Sequence, residues 1–258
     1  VAPPGAGPLA LRLRVPLVAA LERRGRLQHE VLADVGRDPV EDSAYRNLET
    51  VYGAFTTIGT IDLPYYLQAP GRGTPANPAS VVLTGFWQAA PGAYVAPFNA
   101  LGLDPTSTNL TVANPIPVVR STETVPVLAT LPNAASGRTR PAAGWPVVMF
   151  QHGVTRNRCD MLAISATMAA AGFAVISIDQ PLHGASPTST TDACRPFYIG
   201  NTPFAQLGAR ERTFDVDLIN NTTGAAGPDG EVDASGSHNI NLASLLTSRD
   251  NLRQAEAD

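Results

Sequence analysis

The chain has 258 residues, of which 44% are apolar and 16% charged, with a formal net charge of -4 and a pI near 5.6. That balance belongs to an ordinary globular protein of one large domain or two small ones, and it excludes the basic footprint of a nucleic-acid binder. Two cysteines, Cys159 and Cys194, are too few for a disulfide scaffold or a closed zinc site.

At the N-terminal end, the apolar run 15–21 is broken by Pro16 and is far too short to span a bilayer. No signal-peptide pattern precedes it, so the chain reads as a mature or trimmed product. A helix is expected around 17–24, and Arg23, Arg24 and Arg26 read as a solvated face. Of the 23 prolines, 18 lie at or before Pro146. Proline is excluded from helix interiors and central strands, so residues 1–144 are expected to form a region of short strands, turns and irregular connections. Within it, "FTTIGTIDL" (55–63) and "SVVLTGFW" (80–87) are strand candidates, rich in β-branched and aromatic residues. "LPNAASGRTRPAAGW" reads as a flexible connection.

From Trp145 the pattern changes. "PVVMFQ" is a short continuous apolar run, as expected of a strand covered on both faces. "NRCDMLAISATMAAAG" is a helix candidate that Asn157 caps, with Asp160 in its first turn and Gly172 at its end. "FAVISID" is a second buried strand. Strand, helix and strand in this order predict a βαβ unit with a parallel pair and a right-handed crossover. Ligands of open parallel sheets gather at the carboxyl ends of the strands, where "QHGVT" and "DQPLHGAS" lie. The segment 185–241, rich in Gly, Thr, Asn and Asp, reads as a lid-like insertion or pocket wall. A last helix is expected in "LASLLTSRDNLRQAEAD", with Ser248 as its cap, Asp250 in its first turn, and Leu252 and Ala255 on one face.

The chemistry turns on two short motifs. In "FQHGVT" a strand delivers His152 and Gly153 and leaves the backbone N–H of Val154 at its carboxyl end. An acyl-transfer enzyme aims such donors at the oxyanion of its tetrahedral intermediate, each worth roughly 2.7–4 kcal/mol of barrier. Alone, the pair reads as a plain turn. The second motif, "DQPLHGAS", places Asp179, His183 and Gly184 after the next strand and shifts the balance toward a site.

With both motifs in place, the sequence resembles the α/β-hydrolase superfamily, in which a His-Gly oxyanion turn follows one strand and a D-x-P-x-H-G-x-S turn the next. The blocks "TTIGTIDLPYYLQAP", "GWPVVMFQHGVTRNRCDMLAISATMAAAGFAVISIDQPLHG" and "FDVDLINNTTGAAGPDGEVDASGSHNINLASLLTSRDNLRQAEAD" are similar to bacterial extracellular lipases of the virulence-factor (Pla-1/cef) type over roughly residues 50–258. The resemblance implies an α/β-hydrolase fold whose first part is 145–258, and a secreted or surface-associated carboxylic ester hydrolase with a Ser-His-Asp type triad. It further implies an acyl-ester or lipid substrate, contact with a lipid surface and no cofactor. Its oxyanion hole would be His152, Gly153 and Val154, with Asp179, His183 and Gly184 supporting the turn. The departure is severe: the nucleophile belongs in a G-x-S-x-G elbow on the next strand, and no G-x-S-x-G occurs in these 258 residues. "GASPT" at 184–188 lacks the second Gly and follows the wrong strand. The triad is therefore expected in a C-terminal continuation of the same protein.

Other readings compete. A dinucleotide-binding domain would use Asp179 on a ribose, but it wants G-x-G-x-x-G where the chain has "HGVTRN". A non-catalytic binding module on a hydrolase fold is permitted by the missing nucleophile. His29 and His238 show no metal spacing, and Asp215, Asp217, Asp229 and Asp233 offer oxygen ligands of the kind calcium prefers but fail the EF-hand spacing, so a surface loop is expected. Cys159 is read as an inert thiol or as the partner of Cys194, and a nucleophilic role would need a base beside it.

Overall fold

The computed structural model describes residues 53–71 and 78–258; the expected helix at 17–24, the Arg23, Arg24 and Arg26 cluster and His29 lie outside them. Among the described residues one mixed sheet holds four strands in the order β1-β2-β4-β3: β1 (Ala54–Tyr65), β2 (Ser121–Pro132), β3 (Val147–Phe150) and β4 (Ala174–Ser177). β1 and β2 are antiparallel from Ala54 opposite Pro132 to Tyr65 opposite Ser121. β2 runs antiparallel to β4, and β3 runs parallel to β4. The fold is thus of α/β class, and the sheet crosses the boundary expected at residues 144 and 145.

Before residue 145 the described residues hold irregular connections and three short 3-10 helices but no α-helix; the expectation of short strands there fails, because β1 and β2 are each 12 residues long and β2 was not anticipated. Pro126 explains how β2 tolerates its proline. It lies opposite Thr60, outside the three residues Leu128 to Thr130 that pair with β4, so its missing N–H leaves no gap on the β4 side. The expected strand at 80–87 is instead a 3-10 helix, Ala79–Leu83. Thr84 and Gly85 both donate to the Val81 carbonyl, and Val82 packs with Tyr65, Leu182 and Phe214; burial of the β-branched side chains decided the conformation, and a turn delivers it as well as a strand.

The βαβ unit forms as expected. Asn157 accepts from the Cys159 amide and opens the 3-10 turn Arg158–Met161. This leads into α1 (Leu162–Ala171), which ends on Gly172 at φ +88°, a left-handed position that favours glycine. Met161, Leu128 and Val175 are fully buried between α1 and the sheet. On the opposite face Ile61, Leu63, Val125 and Val127 cluster with Ile176 and Ile178. That face is bare at β3: Val147 and Met149 are 56% and 69% exposed. The expectation of a strand covered on both faces fails: Val148 and Phe150 pack on the α1 side, but no described element covers Val147 and Met149 on the other face.

The last helix, α2 (Leu245–Ala257), starts earlier than expected. Ser244, not Ser248, is at its cap position. The Ser248 hydroxyl sits inside the helix, accepting from the Asn241 amide and donating to its carbonyl. Asp250 is past the first turn, and its carboxylate accepts from the Trp87 amide. The helix docks by polar side chains: Gln254 accepts from the Tyr66 amide and donates to the Pro64 carbonyl, and Asn251 donates to the Asn239 carbonyl. The expected Leu252 and Ala255 face is not the buried one. Leu245, Leu246 and Leu252 are exposed, because the helix is held by backbone groups that only hydrogen-bonding side chains can satisfy.

Candidate active site

β3 ends at Phe150, and the chain turns at once. The Arg156 amide donates to the Gly153 carbonyl at 3.2 Å, closing a turn over 153–156 with Val154 and Thr155 at its centre. Thr155 has φ +70°, the left-handed value that the third residue of a type II turn requires and that a β-branched residue adopts at a cost. Val154 is 44% exposed, nothing lies within 4 Å of where a Gly153 side chain would start, and neither residue's amide has a hydrogen-bond partner among the described residues. Two backbone donors therefore stand open at the carboxyl end of β3.

This turn is fastened to the one that follows β4. His152 is buried; its Nε2 accepts from the Gln180 amide at 3.0 Å, which leaves Nδ1 to donate to the Gly153 carbonyl at 2.8 Å. The Gln180 side chain donates to the His152 carbonyl. His183, also buried, accepts through Nε2 from the Thr155 amide at 3.3 Å and donates through Nδ1 to the Pro181 carbonyl at 2.9 Å. Gly184 leaves no room for a side chain, because a Cβ there would meet Glu211 Oε2 at 2.9 Å.

Beneath both turns lies a buried ion cluster. Arg158 is fully buried and donates to Asp179, to Glu211 Oε2 and Oε1 at 2.6 and 2.8 Å, and to the Phe197 carbonyl at 2.8 Å. Asp179 accepts in addition from the Arg158 amide at 2.6 Å, and Glu211 from the Ile199 amide at 2.8 Å. Burial works against the Arg158 charge, but Asp179 and Glu211 outweigh it and bind the guanidinium proton more tightly than in water. Burial pushes the Glu211 carboxyl above its ordinary range, with Arg158 pulling down and Asp179 adding to the rise. Three charges share one dry site, and amides supply the remaining donors.

Glu211 and Phe197 belong to the segment 185–241, which is folded onto the turns. Cys159 and Cys194 form a disulfide with a Cα separation of 5.6 Å, a second fastening of the same segment. Ser186 is buried, and its hydroxyl accepts from the Ser189 and Thr188 amides at 3.0 and 3.4 Å, so its oxygen caps a turn. The aspartates farther along serve backbone amides. Asp217 accepts from Asp229 and Gly230, while Asp229 accepts from Glu231 and Asn221, bonds that hold its carboxyl below the usual range. Asp233 accepts from the Leu218 amide and from His238 Nε2, both at 2.7 Å. Among the described residues no group of three or more His, Cys, Asp or Glu is placed to hold a metal.

A cleft of about 320 Å³ opens beside the turns, between the bare sheet face at Met149 and Ile176 and the end of α2 at Ala255, with Gln151 and Gln180 at its polar edge. Sequence reasoning missed Arg158, Gln180 and Glu211. An arginine opening a helix reads as surface charge, and Glu211 stands 53 residues away in a stretch without periodicity. No protein-family model, no curated protein and no solved structure matches this chain.

Proposed function

We propose that this chain is the oxyanion-bearing part of a carboxylic ester hydrolase of the α/β-hydrolase type, a lipase or esterase that acts on acyl esters at or outside a bacterial cell surface. The observation that carries the reading is the pair of open amides at Gly153 and Val154, held at the carboxyl end of β3 by contacts with the turn after β4. In α/β-hydrolases one oxyanion donor comes from the loop between a strand and the following helix, and the other from the residue after the nucleophile. A tetrahedral intermediate bound here would place its oxyanion on the Val154 N–H.

The nucleophile comes from polypeptide outside these 258 residues, which contain no G-x-S-x-G. Among the described residues β3 has no neighbour on its outer edge, which supports this. A strand following α2 would, by the right-handed crossover rule, lie parallel beside β3, and its carboxyl end would bring an elbow serine next to Val154. A second reading, a binding module on the same fold, draws support from Ser186, whose hydroxyl is occupied as a turn cap.

The test uses a p-nitrophenyl ester and a fluorophosphonate probe. Residues 1–258 alone are expected to hydrolyse the ester no faster than buffer and to label no serine; a chain extended through the next strand and the rest of the sheet does both, on a Ser in a G-x-S-x-G context. Stoichiometric labelling of the 258-residue chain would overturn the proposal. An extended chain that carries the elbow yet stays unlabelled would favour the binding module.

A further inference from the structure

We infer that His152 and His183 are reciprocal positioning residues of the oxyanion turn, each ring accepting through Nε2 a backbone N–H of the turn that carries the other. The inference rests on the oxyanion reading above for its functional meaning, but its geometry stands by itself. His152, on the turn after β3, accepts from Gln180 on the turn after β4. His183, on the turn after β4, accepts from Thr155 on the turn after β3. The two rings lie against each other with centroids 4.9 Å apart.

Only one protonation pattern satisfies this exchange. A backbone N–H always donates, so both Nε2 atoms must be bare and both Nδ1 atoms must carry a proton, which each donates in a hydrogen bond, to the Gly153 and Pro181 carbonyls. Protonating His183 would turn its Nε2 into a donor facing another donor, the Thr155 N–H. Thr155 is held at φ +70°, and loss of its acceptor would let the turn relax and swing the neighbouring Val154 amide off its aim.

The surroundings favour the neutral His183 ring. Burial lowers its pKa first, His152 and Arg212 lower it further, and the Pro181 carbonyl and Asp179 oppose them. Asp179 is already engaged by Arg158. On the far side, Gly236 presses against the ring: a Cβ there would sit 1.9 Å from Nε2. The ring is thus caged between His152 and the 185–241 segment with one nitrogen committed to Thr155. Asp179 Oδ1 lies 3.6 Å from the His152 Nε2.

The experiment follows amides rather than catalysis. In the 258-residue chain, hydrogen exchange and ¹⁵N shifts of Thr155, Gln180 and Val154 are recorded while the pH is lowered until the His183 ring protonates, with the Val175 amide of β4 as the control for the fold. Thr155 is expected to lose protection with the ring's own midpoint, and Val154 to shift with it. At neutral pH, His183→Leu is expected to speed Thr155 exchange about tenfold, and His183→Gln, whose amide oxygen accepts but does not titrate, to restore protection and abolish its pH dependence. A protonated ring with Thr155 still protected, or a folded His183→Leu variant with wild-type exchange, would overturn the inference. The wild-type titration decides if the Leu variant does not fold. An inactive enzyme with an intact clasp would count against the hydrolase reading alone.

Discussion

Arg158 and Glu211 form a two-pronged ion pair with neither side chain exposed, at 2.6 and 2.8 Å, across 53 residues of chain. Arg158 opens the 3-10 turn before α1, whereas Glu211 sits in the long segment after β4. The pair therefore fixes that segment to the helix that follows the turn over 153–156. Its location matters more than its net energy, since a buried ion pair barely offsets the desolvation of its members, but removing one member strands the other.

Glu211→Ala is accordingly expected to cost about 3–5 kcal/mol, because Arg158 would keep only Asp179 and the Phe197 carbonyl. Glu211→Gln, which retains an acceptor, is expected to cost less. Urea unfolding followed by the fluorescence of Trp87 and Trp145 measures both. Equal stability of wild type and Glu211→Ala would show that the cluster contributes nothing to the fold.

The Cys159–Cys194 bridge spans 35 residues of sequence. In the chain-entropy model, closing a loop of that length stabilises by about 3–4 kcal/mol. The double variant Cys159→Ala, Cys194→Ala is expected to lose that amount, with the 185–241 segment gaining protease sensitivity before the sheet does. Thiol alkylation of the unreduced, denatured protein checks the bridge directly, and two reactive thiols would refute it.

The parts of the fold that were readable in the sequence are those set by local chemistry. The Asn157 cap, the Gly172 stop and the two short apolar runs specify strand, helix and strand with little help from the rest of the chain. β2 was illegible because Pro126 forbids a central strand unless the neighbouring strand stops short of it, a fact of sheet register. α2 misled because its buried side is polar. The pattern of Leu245 and Leu252 marks its exposed side, and Gln254 and Asn251 dock on carbonyls that no sequence window contains. At the site, His152, His183 and Asp179 came from motifs. Gln180 lies inside "DQPLHGAS", but nothing in residue type distinguishes its role from that of a solvated amide.

His183 makes a pH prediction with a definite sign. Its folded pKa is lowered, chiefly by burial, so its contribution is complete above the unfolded value of about 6.5 and is lost as pH falls from there through the folded value. Wild-type stability is expected to drop below pH 6.5 relative to His183→Gln, whose side chain does not titrate. Urea midpoints of the two proteins at pH 7.5, 6.5 and 5.5 (about one unit apart, wide enough for a single histidine) provide the comparison. Parallel curves would mean that His183 titrates alike in both states.

Val154 offers the sharpest separation of amide from side chain. It occupies the second position of the turn over 153–156, where proline is a favoured residue, and the residue before it is glycine, the least restricted neighbour a proline can have. Val154→Pro should therefore delete the N–H while leaving the turn in place, and the urea midpoint of the 258-residue chain should be close to that of wild type. In a chain extended to carry the nucleophile elbow that the proposed function requires, the same change is expected to lower kcat by about 10²–10³ with little effect on KM, the loss that reading assigns to a missing oxyanion donor. Val154→Ala removes an exposed side chain and keeps the amide, so its kcat should stay near wild type. Matching losses in the two variants would place the importance of residue 154 in its side chain, and the oxyanion would then need another donor, with Gly153 the first to examine.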